Sequence, residues 1–200
     1  MRRRYVLATA NRDKAAEVRQ ILADALGEVE LLPRPSGVPE VEENGDTLEE
    51  NARLKAVALV EATGEAAIAD DTGLEVDALG GAPGVLAARF AGESATYADN
   101  VAKLLAELAG LEAGRRSARF RTVALARFPD GSEVVASGLV DGRISTEARG
   151  CNGFGYDPVF VPDGGGERTF AEMSADDKHA ISHRGRAFRA LAAALAGRGG

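Results

Sequence analysis

A short apolar run over residues 5–9 gives way at Asn11 and Asp13 to a different period, with Val18, Ile21, Leu22 and Ala25 recurring at helical spacing. An apolar run of that length suits a buried strand, whereas the longer spacing covers one face of a helix. The switch across a polar hinge therefore predicts strand, loop and helix in succession, the helix reaching about Leu26. The alternation recurs along the chain. A strand over residues 29–32 stops at Pro33 and Pro35. Thr47, with Glu50 three residues later, makes a capping box for a helix whose apolar face carries Leu48, Ala52, Ala56, Leu59 and Val60. Residues 66–69 read as a buried strand followed by a loop broken at Gly80, Gly81 and Gly84, and then by a helix over residues 97–108. Residues 120–128 and 133–140 alternate as a hairpin turning through Pro129, Asp130 and Gly131. A short strand over 159–161 precedes a helical region that Ser174 caps and that continues from His183 to Ala196. Helices interleaved with strands, plus a late antiparallel pair, predict an α/β fold with a mixed sheet.

Two hundred residues at 45% apolar and 28% charged suffice to bury a core without disulfides, and a single domain over residues 1–200 is expected. One cysteine, Cys151, excludes an intrachain disulfide and any multi-cysteine zinc site. Arg2, Arg3 and Arg4 precede an apolar run of only about six residues, too short for the core of a signal peptide. Nor does any segment approach the roughly 18 apolar residues of a membrane span. A cytoplasmic location with no membrane partner is therefore expected. The net charge of −7 argues against a broad footprint on nucleic acid. Arg115, Arg116, Arg119 and Arg121 form the densest basic stretch, which reads as a solvated loop and strand face. Residues 164–166 and the terminal Gly199 and Gly200 are expected to be locally mobile.

Of the 24 basic residues 20 are arginine, and three of the four lysines, Lys14, Lys55 and Lys178, fall in the most polar, glycine-punctuated stretches. Lysine differs from arginine in offering a compact point charge, which suits a phosphate oxygen. TANRDK, residues 9–14, follows a strand and opens a helix, the geometry that aims backbone amides and a positive dipole end at an anion. It lacks the glycine pattern of a Walker loop or a dinucleotide fingerprint. Asp70 and Asp71 end an apolar strand. Adjacent strand residues face opposite sides, so one carboxylate can meet a ligand while the other bonds into the scaffold. Either is costly without a partner. Mg²⁺ binds a polyphosphate through one or two carboxylates plus phosphate oxygens and water, and Glu42, Glu43 or Asp46 could supply the second acid. Asn51 and Lys55, four apart on one helix face, can reach the same place. Further on, Phe154 and Tyr156 stand beside Gly155 as an aromatic plate, and Asp157, Lys178, His183 and Arg184 supply directional donors and acceptors for a base.

The order and wording of these stretches, above all ADDTGLEVDALGGAPG (69–84), GFGYDP (153–158) and ISHRG (181–185), resemble the inosine triphosphate pyrophosphatase family, also called Ham1-like or XTP/dITP diphosphatases. The resemblance runs from Thr9 to about Leu195. It implies an elongated mixed β-sheet flanked by helices, with two lobes and an active cleft between them, and a homodimer. It implies hydrolysis of non-canonical purine nucleoside triphosphates (ITP, dITP, XTP) to the monophosphate and pyrophosphate with Mg²⁺, and no nucleic-acid partner. Carried over residue by residue, the phosphate segment is Thr9, Ala10, Asn11, Arg12, Asp13 and Lys14, joined by Lys55 and Thr72. Metal binding falls to Glu42 and Asp71, with Asp71 also the general base. Base recognition falls to Phe154, Gly155, Tyr156, Asp157, Lys178, His183 and Arg184. Ala10 stands where many members have glycine, and Thr72 where many have serine. Two other classes are weighed against this one: a nucleotide or RNA binding module, which has no use for the paired acids, and a Maf-like pyrophosphatase, which is not expected to carry GFGYDP and ISHRG together.

Overall fold

The computed structural model describes residues 3–26 and 29–198; Gly199 and Gly200 lie outside them. Strand β1 (Arg3–Leu7) leads through the TANRDK turn into helix α1 (Arg12–Leu26), and β2 (Val29–Leu32) returns parallel to β1, pairing Arg3 with Val29 and Val6 with Leu32. Helix α2 (Leu48–Thr63) opens on the expected capping box. The Thr47 hydroxyl accepts from the Glu50 amide at 3.1 Å while the Glu50 carboxylate takes the Thr47 amide at 3.1 Å. Strand β3 (Ala67–Val76) joins the other edge of β1, also parallel, with Val6 opposite Ala67. There follow the short β4 (Pro83–Gly84), α3 (Tyr97–Glu107), β5 (Ser117–Arg127), β6 (Glu133–Ile144), β7 (Phe160–Pro162), α4 (Ala175–Ile181) and α5 (His183–Gly197). Among the described residues the sheet order is β2-β1-β3-β5-β6-β7, with β4 antiparallel to β3 and β7 antiparallel to β6. Parallel and antiparallel pairs together make the mixed α/β sheet that the pattern predicts. Within the described residues no helix is long and apolar enough to cross a membrane.

The chain divides into two compact units, one of Met1–Asp71, Thr122–Gly138 and Arg184–Gly200, the other of Thr72–Arg121 and Leu139–His183. The first is built on Tyr5, Leu7 and Ile68 of the strands with Val18, Ile21 and Leu22 of α1 and Phe188, Leu191 and Leu195 of α5. These helix positions are the ones the three-to-four spacing marks as apolar. The second gathers Leu74, Leu104, Phe120, Ile144, Phe160 and Phe170.

Three strands are longer than their sequence pattern, among them β6, which runs on past residue 140 to Ile144. Strand β3 continues for ten residues, through Asp70 and Asp71 to Val76, because buried ion pairs hold both carboxylates inside a strand that looks finished at the first charge. Strand β5 begins at Ser117, inside the arginine-rich stretch. Arg116 is buried and donates to the Leu108, Ile144 and Ser145 carbonyls at 2.7–2.9 Å, while Arg119 and Arg121 stand outward against Glu75, Asp77 and Asp141. That arginine stretch is thus met by carbonyls and acids within its own unit.

Gly142 on β6 lies opposite Pro162 of β7, and a Cβ placed there would stand 2.3 Å from the Val161 carbonyl oxygen and 3.0 Å from the Pro162 Cα. Backbone cannot move aside as a flexible side chain can. Gly142→Ala is therefore expected to cost about 1 to 3 kcal/mol in urea unfolding. Gly37→Ala, with nothing within 4 Å of its added carbon, is expected to leave the midpoint nearly unmoved. A Gly142→Ala protein as stable as the parent would refute the close approach.

Candidate active site

In the first unit the middle of β3 brings two carboxylates into a nest of cations. Asp70 lies 3.9 Å from the Lys14 ammonium, and the Arg184 guanidinium reaches it with Nε at 3.7 Å while its Nη1 meets Glu17 at 2.6 Å. Asp71, with its neighbour's opposite orientation, faces α2: Lys55 approaches it at 3.4 Å and the Asn51 amide donates to its other oxygen at 3.1 Å. Lys55 at the same time holds Glu43 at 3.0 Å. Asn51 is buried, and its oxygen accepts the Gly45 amide at 2.8 Å, so one carboxamide ties the acidic loop before α2 to the carboxylate on β3. The alternation of strand side chains explains the division, since one carboxylate turns to α1 and α5 and the other to α2.

The two neighbours are pulled in opposite directions. Burial pushes the Asp70 carboxyl up, but the charges of Lys14, Arg184 and Lys55 outweigh it and hold the group below its ordinary value. For Asp71 burial prevails over Lys55 and Lys14, with Glu43 adding repulsion, and its affinity for a proton is raised. Burial draws the Lys55 ammonium down, yet Asp71, Asp70 and Glu43 together push it above its usual value. A pair of carboxylates split this way has one fixed anion and one group suited to accepting a proton.

At the end of β1 the TANRDK turn is held by its own side chains. The Asn11 oxygen accepts the amides of Asp13 at 2.9 Å and Lys14 at 3.1 Å, and Thr9 accepts the Asn11 amide at 3.1 Å. Asn11 is thus the N-cap of α1, and Lys14 on its first turn is aimed at Asp70. The donor set suits a hard divalent cation. Among the described residues no three acidic, histidine or cysteine side chains gather as a cage; a carboxylate pair completed by ligand oxygens is how Mg²⁺ is usually held beside phosphates. Glu43 is engaged by Lys55, while Glu42 on the same loop is exposed. Thr72 follows Asp71, half-buried, as the first residue of the second unit.

The second unit carries the aromatic stretch. Lys178 and Asp157, both buried, pair at 2.6 Å, and the same Asp157 oxygen accepts the Phe154 amide at 2.8 Å. Gly153 (φ 70°) is required here, because an added Cβ would sit 2.0 Å from that oxygen. The half-buried Phe154 ring has the Lys178 ammonium 5.0 Å from its centroid and the Tyr97 ring at 5.8 Å. Tyr156 instead enters the core: its hydroxyl donates to the Ala87 carbonyl at 2.9 Å, and burial raises its pKa. His183 is buried and stacks on Phe120 at 4.4 Å and 16°.

The sequence motifs thus resolve into two clusters, one in each unit. Lys14, Lys55, Asp71 and Arg184 meet in the first, Phe154, Asp157 and Lys178 in the second. Sequence reasoning missed two participants, Glu17 and Tyr97, whereas Asp70 bonds into the scaffold as expected of one of the two acids. Glu17 is three residues beyond Lys14 on α1, a spacing that puts both on one face and could have identified it. The contacts of Asp70 and of Tyr97 come from segments far apart in the chain and leave no local signal.

A cation-flanked carboxylate pair on an α/β scaffold is an arrangement for handling phosphate anhydrides, and the comparisons agree with it. The Ham1 family profile matches residues 5–194, and this chain belongs to the Ham1 family. A relative in Streptomyces avermitilis, named dITP/XTP pyrophosphatase, is 48% identical over 190 residues, 94% of each chain. One in Methylococcus capsulatus with the same name is 46% identical over 198 residues, 98% of this chain and 97% of that one. The chain spans 57% of the length of a Streptococcus agalactiae relative at 49% identity. Among solved structures, a HAM1 protein from Coxiella burnetii superposes with a TM-score of 0.87 at 39% identity, covering 98% of this chain and 99% of its own. A dITP/XTP pyrophosphatase from Mycobacterium abscessus gives 0.73 at 45%, covering 96% and 97%.

Asn51 serves the buried Asp71 and the part-buried Gly45 amide at once, so Asn51→Leu is expected to lower stability by about 1 to 3 kcal/mol, the cost of leaving such groups unbonded. Chemical denaturation measures this. A variant of undiminished stability would show that the carboxamide does not couple the loop to Asp71.

Proposed function

We propose that this protein hydrolyses non-canonical purine nucleoside triphosphates, ITP, dITP and XTP, to the nucleoside monophosphate and pyrophosphate. The observation that carries the reading is the split between Asp70 and Asp71, one set against Lys14 and Arg184, the other buried against Lys55 and Asn51 of α2. The names of its relatives point to dITP and XTP among these. Asp71 is read as the general base that takes a proton from the attacking water. Lys14 and Lys55, with the start of α1 over Thr9, Ala10, Asn11, Arg12 and Asp13, meet phosphate charge, and Thr72 lies next to the base. Asp71 and Glu42 are the residues that would hold Mg²⁺; when bound, the ion would neutralise phosphate charge and polarise the anhydride. Most of the acceleration then comes from positioning and charge stabilisation.

The purine is assigned to Phe154 and Gly155, with Asp157 and Lys178 fixing that loop, Tyr156 anchoring it, and His183 and Arg184 adding donors. Selectivity follows from donors at the 6-keto oxygen: an adenine amino group there leaves them unpaired. A homodimer and a cytoplasmic location complete the reading, supported by the family resemblance. Sedimentation should then give twice the 20.8 kDa of one chain.

Purified protein with Mg²⁺ is expected to release pyrophosphate from ITP far faster than from ATP, and none on chelation of the metal. Asp71→Asn removes the base and a metal charge with little change in shape, so turnover is expected to fall by roughly 10² or more while the melting transition persists. Orthophosphate as first product, or near-parental turnover in Asp71→Asn, would sink the assignment.

Lys14→Ala is expected to weaken ITP and ATP by similar factors, since both present the same phosphates. Arg184→Ala is expected to slow both as well, because its guanidinium holds Asp70. If it also reads the purine, kcat/KM for ITP falls by a further factor of about ten, the value of one donor to the base. An unchanged ITP to ATP ratio in Arg184→Ala would remove it from base recognition.

A further inference from the structure

We propose that Tyr97 is a positioning residue for the purine, bracing the Phe154 ring from the first turn of α3; the proposal rests on Phe154 receiving the base. Residues 145–159 contain no helix or strand, and Phe154 stands between Gly153 and Gly155, both at positive φ, 70° and 63°. Two such neighbours restrain a ring weakly through the chain, so its plane is set by what touches it. The backbone is held on Asp157, whose carboxylate accepts the Phe154 amide at 2.8 Å and whose amide donates to the Phe154 carbonyl at 3.2 Å, while the ring meets the Lys178 ammonium and Tyr97.

Tyr97 is well placed to act as the brace. It is the first residue of α3, directly after Thr96, whose hydroxyl takes the Asp99 amide at 3.2 Å while the Asp99 carboxylate takes the Thr96 amide at 2.8 Å. A reciprocal cap of this kind makes the helix start rigid. The residue is 43% exposed, so it adds little to the core of the unit, yet its ring lies 5.8 Å from that of Phe154 at a 37° tilt. A base sandwiched between two rings needs them about 7 Å apart, twice an ordinary contact. The Tyr97 ring is closer and tilted, so it backs Phe154, and the base is left to the rest of the Phe154 surface.

The test is steady-state kinetics of the full chain with ITP and Mg²⁺, alongside inhibition by inorganic tripolyphosphate, which has no base. Tyr97→Ala is expected to raise KM for ITP by roughly two- to tenfold, the worth of one aromatic pair. Its kcat, its inhibition by tripolyphosphate and its melting temperature should stay near the parent values. Tyr97→Phe should restore the parental KM, and Tyr97→Ala should add nothing in a Phe154→Ala background. An unchanged KM in Tyr97→Ala, while Phe154→Ala raises it, overturns the brace and leaves the base plate standing. Equal weakening toward tripolyphosphate, or failure of Tyr97→Phe to rescue, also overturns it. If Phe154→Ala itself leaves KM for ITP unchanged, the base-plate reading falls, and the brace with it.

Discussion

Two adjacent carboxylates buried in the middle of a strand are a severe electrostatic demand, and the first unit is arranged around meeting it. An uncompensated charge in such a place would take up a proton or unfold the strand. Asp70 is met by Lys14 from α1 and Arg184 from α5, Asp71 by Lys55 and Asn51 from α2. Three helices are thereby tied to one strand by charge as well as by apolar packing. Burial leaves Asp71 with raised proton affinity in spite of those pairs, so the stabilising network and the proposed catalytic one share atoms.

The boundaries of the two units fall inside the motifs. The chain passes from one unit to the other between Asp71 and Thr72, and again between His183 and Arg184. The strings ADDTG and ISHRG, which look like single functional words, each contribute residues to both units. Arg184 belongs to the carboxylate cluster and His183 to the aromatic core containing Phe120. A linear motif records which residues occur together in the chain, and a strand or helix start then separates their side chains by simple geometry.

That separation explains what could be read from the sequence. The capping box at Thr47, the N-cap at Asn11, the alternation on β3 and the shared face of Asn51 and Lys55 are local, within four residues, and spacing predicts them. The length of β3 and β5 was not legible. Strand β3 runs through Asp70, whose partners Lys14 and Arg184 lie far away in the chain, and β5 starts directly after the buried Arg116, which is held by the distant carbonyls of Ile144 and Ser145. Propensity reads a buried charge as an end; only the tertiary partner turns it into an interior position.

Tyr156 and Phe154 show the same limit within one short loop. Two aromatic residues flanking a glycine look equivalent in sequence, yet one ring sits in the core with its hydroxyl on the Ala87 carbonyl while the other is half-exposed. What distinguishes them is the Asp157 carboxylate, which folds back onto the Phe154 amide and occupies the space that a side chain at Gly153 would need. Lys178 then neutralises Asp157 from α4 and lies over the Phe154 ring. The buried ion pair is therefore a support for the ring. A charge pair engaged within the protein is a fixed support, and the ring it holds stays half-exposed beside it.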